Sequence, residues 1–212
     1  MINADFVERC IKAAEMGHSK LSDLALSIPG MTDLKTKHLL NNLCDHGASY
    51  LEIGTLMGAT VSAAAFGNTG KFYAVDDFSQ WPIVSKEAFA HLNEEFALFQ
   101  AAIDKPTREV WENHLQILGI ANQVTLIEQD CFQWEPSFEV DIFFYDGDHS
   151  AESTKIALAK FVPLLKPSLL LVDDFVAHDV RRGLVGAGLS FENGWELPYW
   201  NGLFIGLLDA VS

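Results

Sequence analysis

Positive charge is scarce in this sequence: 14 Lys and Arg stand against 29 Asp and Glu in 212 residues, a formal charge of −15. The cations form no run, and nucleic-acid grooves are engaged by basic stripes that neutralise phosphates, so neither nucleic acid nor an anionic membrane is an expected partner. Cysteine is scarce too. Cys10, Cys44 and Cys131 are an odd number with no C-x-x-C pair, which argues against a disulfide framework or a thiolate zinc site and fits reduced thiols in the cytoplasm. Long apolar runs are missing: none approaches the ~18 residues of a membrane span. The N-terminus, MINADFVERC, carries Asp5 and Glu8 where a signal peptide needs a basic start and an apolar stretch. A cytoplasmic location is the expectation. Repeats, low-complexity tracts and linkers are lacking as well, so residues 1–212 are expected to form a single domain.

Apolar and aromatic residues, by contrast, are plentiful. Hydrophobic types make up 49%, with 15 Phe, 5 Trp and 4 Tyr, a composition that disordered chains do not have. The first 48 residues read as a helical preface in two pieces, about 2–16 and 33–46, separated by Ile28-Pro29-Gly30, with Thr32 or Asp33 to cap the second. From Tyr50 the pattern changes to short apolar runs at 49–53, 72–75, 124–127, 141–145 and 169–172, with helical segments between them. This alternation predicts an α/β fold with a parallel sheet covered on both faces. Each run ends in a polar residue or glycine, and ligands of open α/β sheets lie at the carboxyl ends of the strands.

Residues 79–121 are far longer than a minimal crossover needs. Phe89, Leu92, Phe96, Phe99 and Ile103 repeat at helical spacing, Lys105-Pro106 interrupts them, and Trp111, His114, Leu115 and Leu118 mark a second helix ending at Gly119. This segment is either core or a helical insertion that helps roof a substrate site. The last stretches, 195–199 and 203–208 around Trp200-Asn201-Gly202, read as a closing antiparallel hairpin. Trp81, Trp195, Tyr199 and Trp200 are expected first as core packing, with lining of a pocket for a flat or partly apolar acceptor as the alternative.

Three constellations carry chemistry. In Leu51-Glu52-Ile53-Gly54-Thr55-Leu56-Met57-Gly58-Ala59-Thr60 a strand enters a glycine turn and then a small-residue helix, where Gly54 and Gly58 would admit a ligand close to the backbone. Asp76 follows Gly54 by 22 residues at the end of the next strand, placed to accept both hydroxyl hydrogens of a ribose. Beyond the third strand, Asp130 and Cys131 are placed to meet an adenine. The third constellation, Asp146-Gly147-Asp148-His149 followed by Asp173-Asp174, puts several acids at the ends of two buried strands. Neighbouring parallel strands lie ~4.8 Å apart, so these carboxylates repel one another unless protons or a hard cation such as Mg2+ intervene. Capping explains some of them, with Asp148 or Ser150 starting one helix and Asp174 the next. His149 beside this cluster is a candidate base. The other six histidines show no metal spacing.

With these motifs the chain resembles the class I S-adenosylmethionine-dependent methyltransferases. The likeness is strongest to the small-molecule O-methyltransferase branch that includes the sugar and macrolide enzymes and the methyltransferase-24 family. LEIGTLMGAT, FYAVDD, IEQDCF, FFYDGDHS and LLLVDDF stand in family order across about residues 49–176. The resemblance implies a Rossmann-like fold, a mostly parallel seven-stranded sheet with helices on both faces and a C-terminal antiparallel hairpin. It places S-adenosylmethionine over the first glycine turn, with Glu52, Gly54, Thr55, Gly58 and Thr60 around its methionine end, Asp76 on the ribose, and Asp130 and Cys131 near the adenine. It implies a divalent cation, magnesium above all, on Asp146, Asp173 and Asp174, with Asp148, or failing it His149, as the catalytic base. The related catechol enzymes carry a lysine where His149 stands and an Asp-Asn pair where Asp173-Asp174 stands, which favours a sugar-like or other vicinal diol as acceptor. The expected activity is thus methyl transfer to a small-molecule hydroxyl, and a homodimer is expected only as the commonest assembly. Three alternatives stay open: a metal-independent methyltransferase using the same acids, a nicotinamide-dependent enzyme, which the missing G-x-G-x-x-G disfavours, and a non-catalytic binding protein on the same fold.

Overall fold

Helices begin in this chain where a short polar side chain can satisfy the first free N–H groups. The computed structural model, which describes residues 2–86 and 97–209, shows this three times in the preface. Asn3 accepts from the Phe6 N–H to start α1 (Ala4–Glu15), Ser22 from Ala25 to start α2 (Asp23–Leu26), and Asp33 from Thr36 to start α3 (Leu34–Leu43). The preface therefore holds three helices rather than the expected two. The extra one is a single turn that periodicity cannot reveal.

Polar side chains lock this preface to the sheet domain. Asn41 on α3 donates to the carbonyls of Ala63 (2.8 Å) and Phe66 (2.8 Å) at the end of α4 (Ala59–Ala65). Asn68 donates back to the carbonyls of Asn41 and Ala64, both at 2.9 Å. Lys37, 4% exposed, spends its ammonium on the carbonyls of Leu26 (2.8 Å) and Ile28 (2.6 Å). Buried carbonyls left without donors are costly, so Asn41→Ala is expected to lose about 2 kcal/mol. That corresponds to a fall of roughly 4–8 °C in Tm for a domain of this size, and an unchanged thermal melt would deny the clamp.

The sheet has seven strands: β1 (Tyr50–Ile53), β2 (Phe72–Val75), β3 (Val124–Ile127), β4 (Ile142–Tyr145), β5 (Leu169–Val172), β6 (Phe191–Leu197) and β7 (Leu203–Leu208). Their order is β3-β2-β1-β4-β5-β7-β6. The first five run parallel and the last pair is the antiparallel hairpin. β1, β4 and β5 are buried along their whole length, as continuous apolar strands between two helical layers must be. β3 departs from that reading. It is an edge strand in which Val124 is buried and Thr125 exposed. In the hairpin, β6 starts at Phe191, four residues before the predicted 195, because this outer strand is mostly exposed and lacks a continuous apolar signal.

Between β2 and β3 lie α5 (Ala97–Ala102) and α6 (Thr107–Ile117). Phe99 of the expected aromatic stripe is buried on α5, whereas Phe89, Leu92 and Phe96 lie outside the described residues. α7 (Ala151–Leu165) is capped by Ser150, and α8 (His178–Gly186) completes the layers. Among the described residues no helix is long and apolar enough to cross a membrane.

Candidate functional site

The carboxyl ends of β1, β2, β4 and β5 open into one cavity of about 620 Å3. Gly54, Asp76, Asp130, Cys131, Asp146, Asp148, His149, Asp173 and Asp174 all line it, so most of the predicted site residues converge although they span 120 positions, 174 − 54. Glu52, Thr55, Gly58 and Thr60 are not part of the lining; all but Gly58 are buried polar side chains.

The glycine turn is held from two sides. Asp76 reaches across from β2 and accepts from the backbone N–H of Thr55 (2.9 Å) and Leu56 (3.0 Å) on Oδ2, and from Phe78 (2.8 Å) on Oδ1. A carboxylate has about four lone-pair sites, so Asp76 shapes the turn with three of them and retains one for a ligand hydroxyl. From behind, Trp111 on α6 donates its indole N–H to Thr55 Oγ1 (3.0 Å), and the His114 ring meets the Met57 carbonyl at 2.8 Å. The second helix of the long segment is therefore the wall behind the turn, while among the described residues of that segment Ser79, Gln80, Trp81 and Thr107 line the cavity.

These positions have a further reason to be glycine. A Cβ on Gly54 would lie 2.0 Å from the Asp146 carbonyl oxygen, and one on Gly58 would lie 2.8 Å from the Trp111 ring. Both have positive φ, 85° and 80°. The missing side chains thus make room for protein, drawing the ends of β1 and β4 together, as well as permitting the left-handed turn.

Glu52 is fully buried and accepts from the Tyr50 hydroxyl at 2.7 Å, with its Oε1 lacking any donor. Burial pushes its carboxyl up to about 8, against an ordinary 4.5. The folded chain thus holds a proton that the unfolded chain releases, so stability falls as pH rises through the window from 4.5 to about 8. Glu52→Gln is expected to flatten that fall. Tm should drop less in the variant than in the wild type between about pH 6 and about pH 9, and equal slopes would remove Glu52 as the cause.

The acid cluster is assembled by the register of β4 and β5, in which Tyr145 pairs with Val172. The Asp146 N–H donates to Ile53 O (2.9 Å) and that of Asp173 to Tyr145 O (3.0 Å), so both side chains leave the sheet at one rim. His149 bends back over them. Its Nδ1 lies 2.7 Å from Asp174 Oδ2, and its Nε2 lies 3.5 Å from Asp146 Oδ1, an ionic contact rather than a hydrogen bond. Burial works against the charged imidazole, but the two carboxylates outweigh it and push its pKa up to about 10. Asp173, 6% exposed, is shifted the opposite way for an acid, held well above the carboxylate range by burial and by Asp146 and Asp174. Burial also raises Asp146, whereas for Asp174 the bond to His149 prevails over burial and holds the carboxyl below its ordinary value.

Asp148 faces a different task. Its carboxylate accepts from the Ser153 hydroxyl (2.6 Å) and from the Ser150 hydroxyl (3.0 Å) and N–H (3.2 Å) at the start of α7, and these bonds hold it below the usual range. Burial pushes the Cys131 thiol up to about 11, which keeps it protonated. As for a cation, the imidazole occupies the space between Asp146 and Asp174. Among the described residues no three His, Cys, Asp or Glu side chains are arranged to hold a metal ion, so in this arrangement the three aspartates do not fit one.

The fold has many counterparts among solved structures. A protein from Corynebacterium glutamicum matches with a TM-score of 0.60 at 14% identity, covering 100% of this chain and 93% of that one. The O-methyltransferase TomG from Streptomyces achromogenes, involved in tomaymycin synthesis and solved with S-adenosylmethionine, gives 0.56 at 17% identity, covering 98% and 91%. No curated protein sequence matches significantly. The sheet order with its terminal antiparallel hairpin, and the strand ends gathered on one cavity, are those of a class I S-adenosylmethionine-dependent methyltransferase. The chain belongs to the methyltransferase-24 family, described as a methyltransferase domain, which it matches over residues 51–175.

Proposed function

We propose that the protein transfers the methyl group of S-adenosylmethionine to a hydroxyl of a small, diol-like acceptor. The observation that supports this is the continuity of one cavity from Gly54, Asp76 and Asp130 to the His149–Asp174 pair. The residues suit the cofactor: Asp76 retains an acceptor site for a ribose hydroxyl, and Asp130 with its half-buried neighbour Cys131 offers a carboxylate beside an apolar surface for an adenine. When bound, the cofactor supplies an electrophilic methyl on a positively charged sulfur. The chain's part is to hold the acceptor oxygen in line and to take its proton. His149 is the group for the second task in preference to Asp148. With its pKa raised to about 10 the imidazole carries a proton at neutral pH, so the base is the fraction that has released that proton to solvent, and turnover is expected to rise with pH toward about 10, whereas the Asp148 carboxylate is committed to the cap of α7.

A second reading, in which a divalent cation displaces the imidazole, is favoured by one observation. Asp174 Oδ1 and His149 Nε2 are both buried without a hydrogen-bond partner, beside the buried Asp173. Two measurements separate the readings. S-adenosylhomocysteine should raise Tm, by roughly 5–10 °C at about 100 times its dissociation constant. Turnover of a hydroxylated acceptor should then survive chelation, and activity lost to chelator and restored by Mg2+ would return the three aspartates to a cation. No shift with S-adenosylhomocysteine would overturn the methyl-transfer reading itself.

A further inference from the structure

We infer that Trp111 is a positioning residue for the cofactor: through its indole N–H on Thr55 it holds the glycine turn in the shape that receives S-adenosylmethionine, an inference that rests on the methyl-transfer reading above. The turn between β1 and α4 alternates. Gly54 and Leu56 line the cavity, whereas Thr55 between them is buried and turns its hydroxyl the other way, to the Trp111 N–H at 3.0 Å. The backbone is left-handed at Gly54, Leu56 and Gly58, with φ of 85°, 46° and 80°. Glycine adopts that conformation freely, but in Leu56 it crowds the Cβ against the following carbonyl. Such a residue persists only where its surroundings over-determine it. Here the turn is gripped from two sides. In front, Asp76 Oδ2 accepts from the Thr55 and Leu56 N–H groups. Behind, α6 meets three of the next four residues: Trp111 donates to Thr55 and packs its ring on Gly58, and the His114 ring meets the Met57 carbonyl at 2.8 Å.

A brace works only if it is itself fixed, and α6 is fixed at its start. The Thr107 N–H donates to Pro82 O at 3.1 Å and its hydroxyl to the Trp81 carbonyl, while Arg108 Nε donates to Glu128 Oε2 at 2.7 Å. The helix is thereby tied to the segments that follow β2 and β3, and both supply lining residues, Trp81 and Gln129 among them. Trp111 is 4% exposed and does not line the cavity, so its effect on a ligand must pass through the turn. A ligand that binds one conformation of a chain loses apparent affinity in proportion to the fraction of chain in that conformation. Without the indole N–H, Leu56 is free to relax toward the ordinary right-handed or extended backbone, and the competent fraction falls. The His149–Asp174 pair stands on other elements, so the chemical step of a cofactor-saturated enzyme is untouched.

The test titrates S-adenosylhomocysteine calorimetrically, well below Tm, into the wild type, Trp111→Phe, Thr55→Val and the double variant. Trp111→Phe keeps an aromatic ring beside Gly58 and removes the N–H; Thr55→Val keeps the shape of the side chain and removes its acceptor. Each single change is expected to raise the dissociation constant roughly tenfold, the worth of one buried hydrogen bond. The double variant should lose no more than either single one, since both remove the same bond. KM for S-adenosylmethionine should rise in step while kcat at saturation stays near its original value. A tryptophan that only fills the core would instead lower Tm and leave the dissociation constant of the folded protein unchanged, and that result would overturn the inference. So would losses that multiply in the double variant. Should Trp111→Phe fail to fold, Thr55→Val decides alone, and wild-type affinity in it would overturn the inference. Failure of the wild type itself to bind S-adenosylhomocysteine is a different result: it overturns the methyl-transfer reading, and this inference falls with it.

Discussion

Alanine at Gly54 is expected to be among the most damaging single changes in the protein. Its Cβ would stand 2.0 Å from the Asp146 carbonyl oxygen and 2.7 Å from the carbonyl carbon, at a φ of +85°. Neither side can yield cheaply, because Asp146 is bonded through its N–H to Ile53 O and Gly54 through its own to Val75 O, both at 2.9 Å. A left-handed L-residue costs about 1–2 kcal/mol and a forced overlap in a packed core about 1–3 kcal/mol. The sum of roughly 2–5 kcal/mol should lower Tm by about 10 °C and remove the response to S-adenosylhomocysteine. Gly119→Ala is the control: its φ is +70°, but a Cβ there meets nothing within 4 Å. That variant should pay for conformation alone and melt within a few degrees of the wild type, roughly in line with the left-handed cost. If both variants melted alike, the close approach of β1 and β4 would not be what selects glycine at position 54.

Removing the imidazole should have the largest effect on catalysis. His149→Ala is expected to reduce kcat by roughly 10²–10⁴, the range for loss of a positioned general base. S-adenosylhomocysteine affinity should change little, since His149 lies at the acid rim and not on the glycine turn. Asp174→Asn keeps the shape of the partner and removes its charge, so it should lower kcat less, while leaving KM for the acceptor near its original value. Asp148→Asn separates the two candidate bases: the Ser150 and Ser153 bonds make it a capping change, worth about 1 kcal/mol of stability with turnover largely kept. If His149→Ala turned over normally and Asp148→Asn did not, the two roles would have to be exchanged.

The central strands were legible because their physics is local. A run such as Ile142-Phe143-Phe144-Tyr145 must be buried on both faces, and its terminal acid must then emerge at the ligand edge, which is where Asp146 lies. The gathering of Asp146, Asp173 and Asp174 followed from that alone. What His149 does among them did not, since the fold of the 146–150 loop decides whether the ring points away or closes the cluster. The support of the glycine turn by Trp111 and His114 was also hidden. At helical spacing those residues read as generic core, and nothing in sequence links them to Thr55 and Met57. The same holds for the Asp33–Trp200 bond, which spans 167 positions, 200 − 33. Glu52 shows the opposite case. Its motif suggests a residue at the cofactor, yet the chain folds it wholly inside, against Tyr50.

The double duty of residues 79–121 bears on how such an enzyme can change its acceptor. Swapping this segment between relatives looks like an exchange of lids, but α6 comes with it, and Trp111 and His114 are what brace the glycine turn. A chimaera made at those boundaries would alter the two binding events together and confuse one with the other. Met31 and Trp200, by contrast, line the same cavity from outside that segment, so exchanges at those two positions leave α6 and its bonds to Thr55 and Met57 in place.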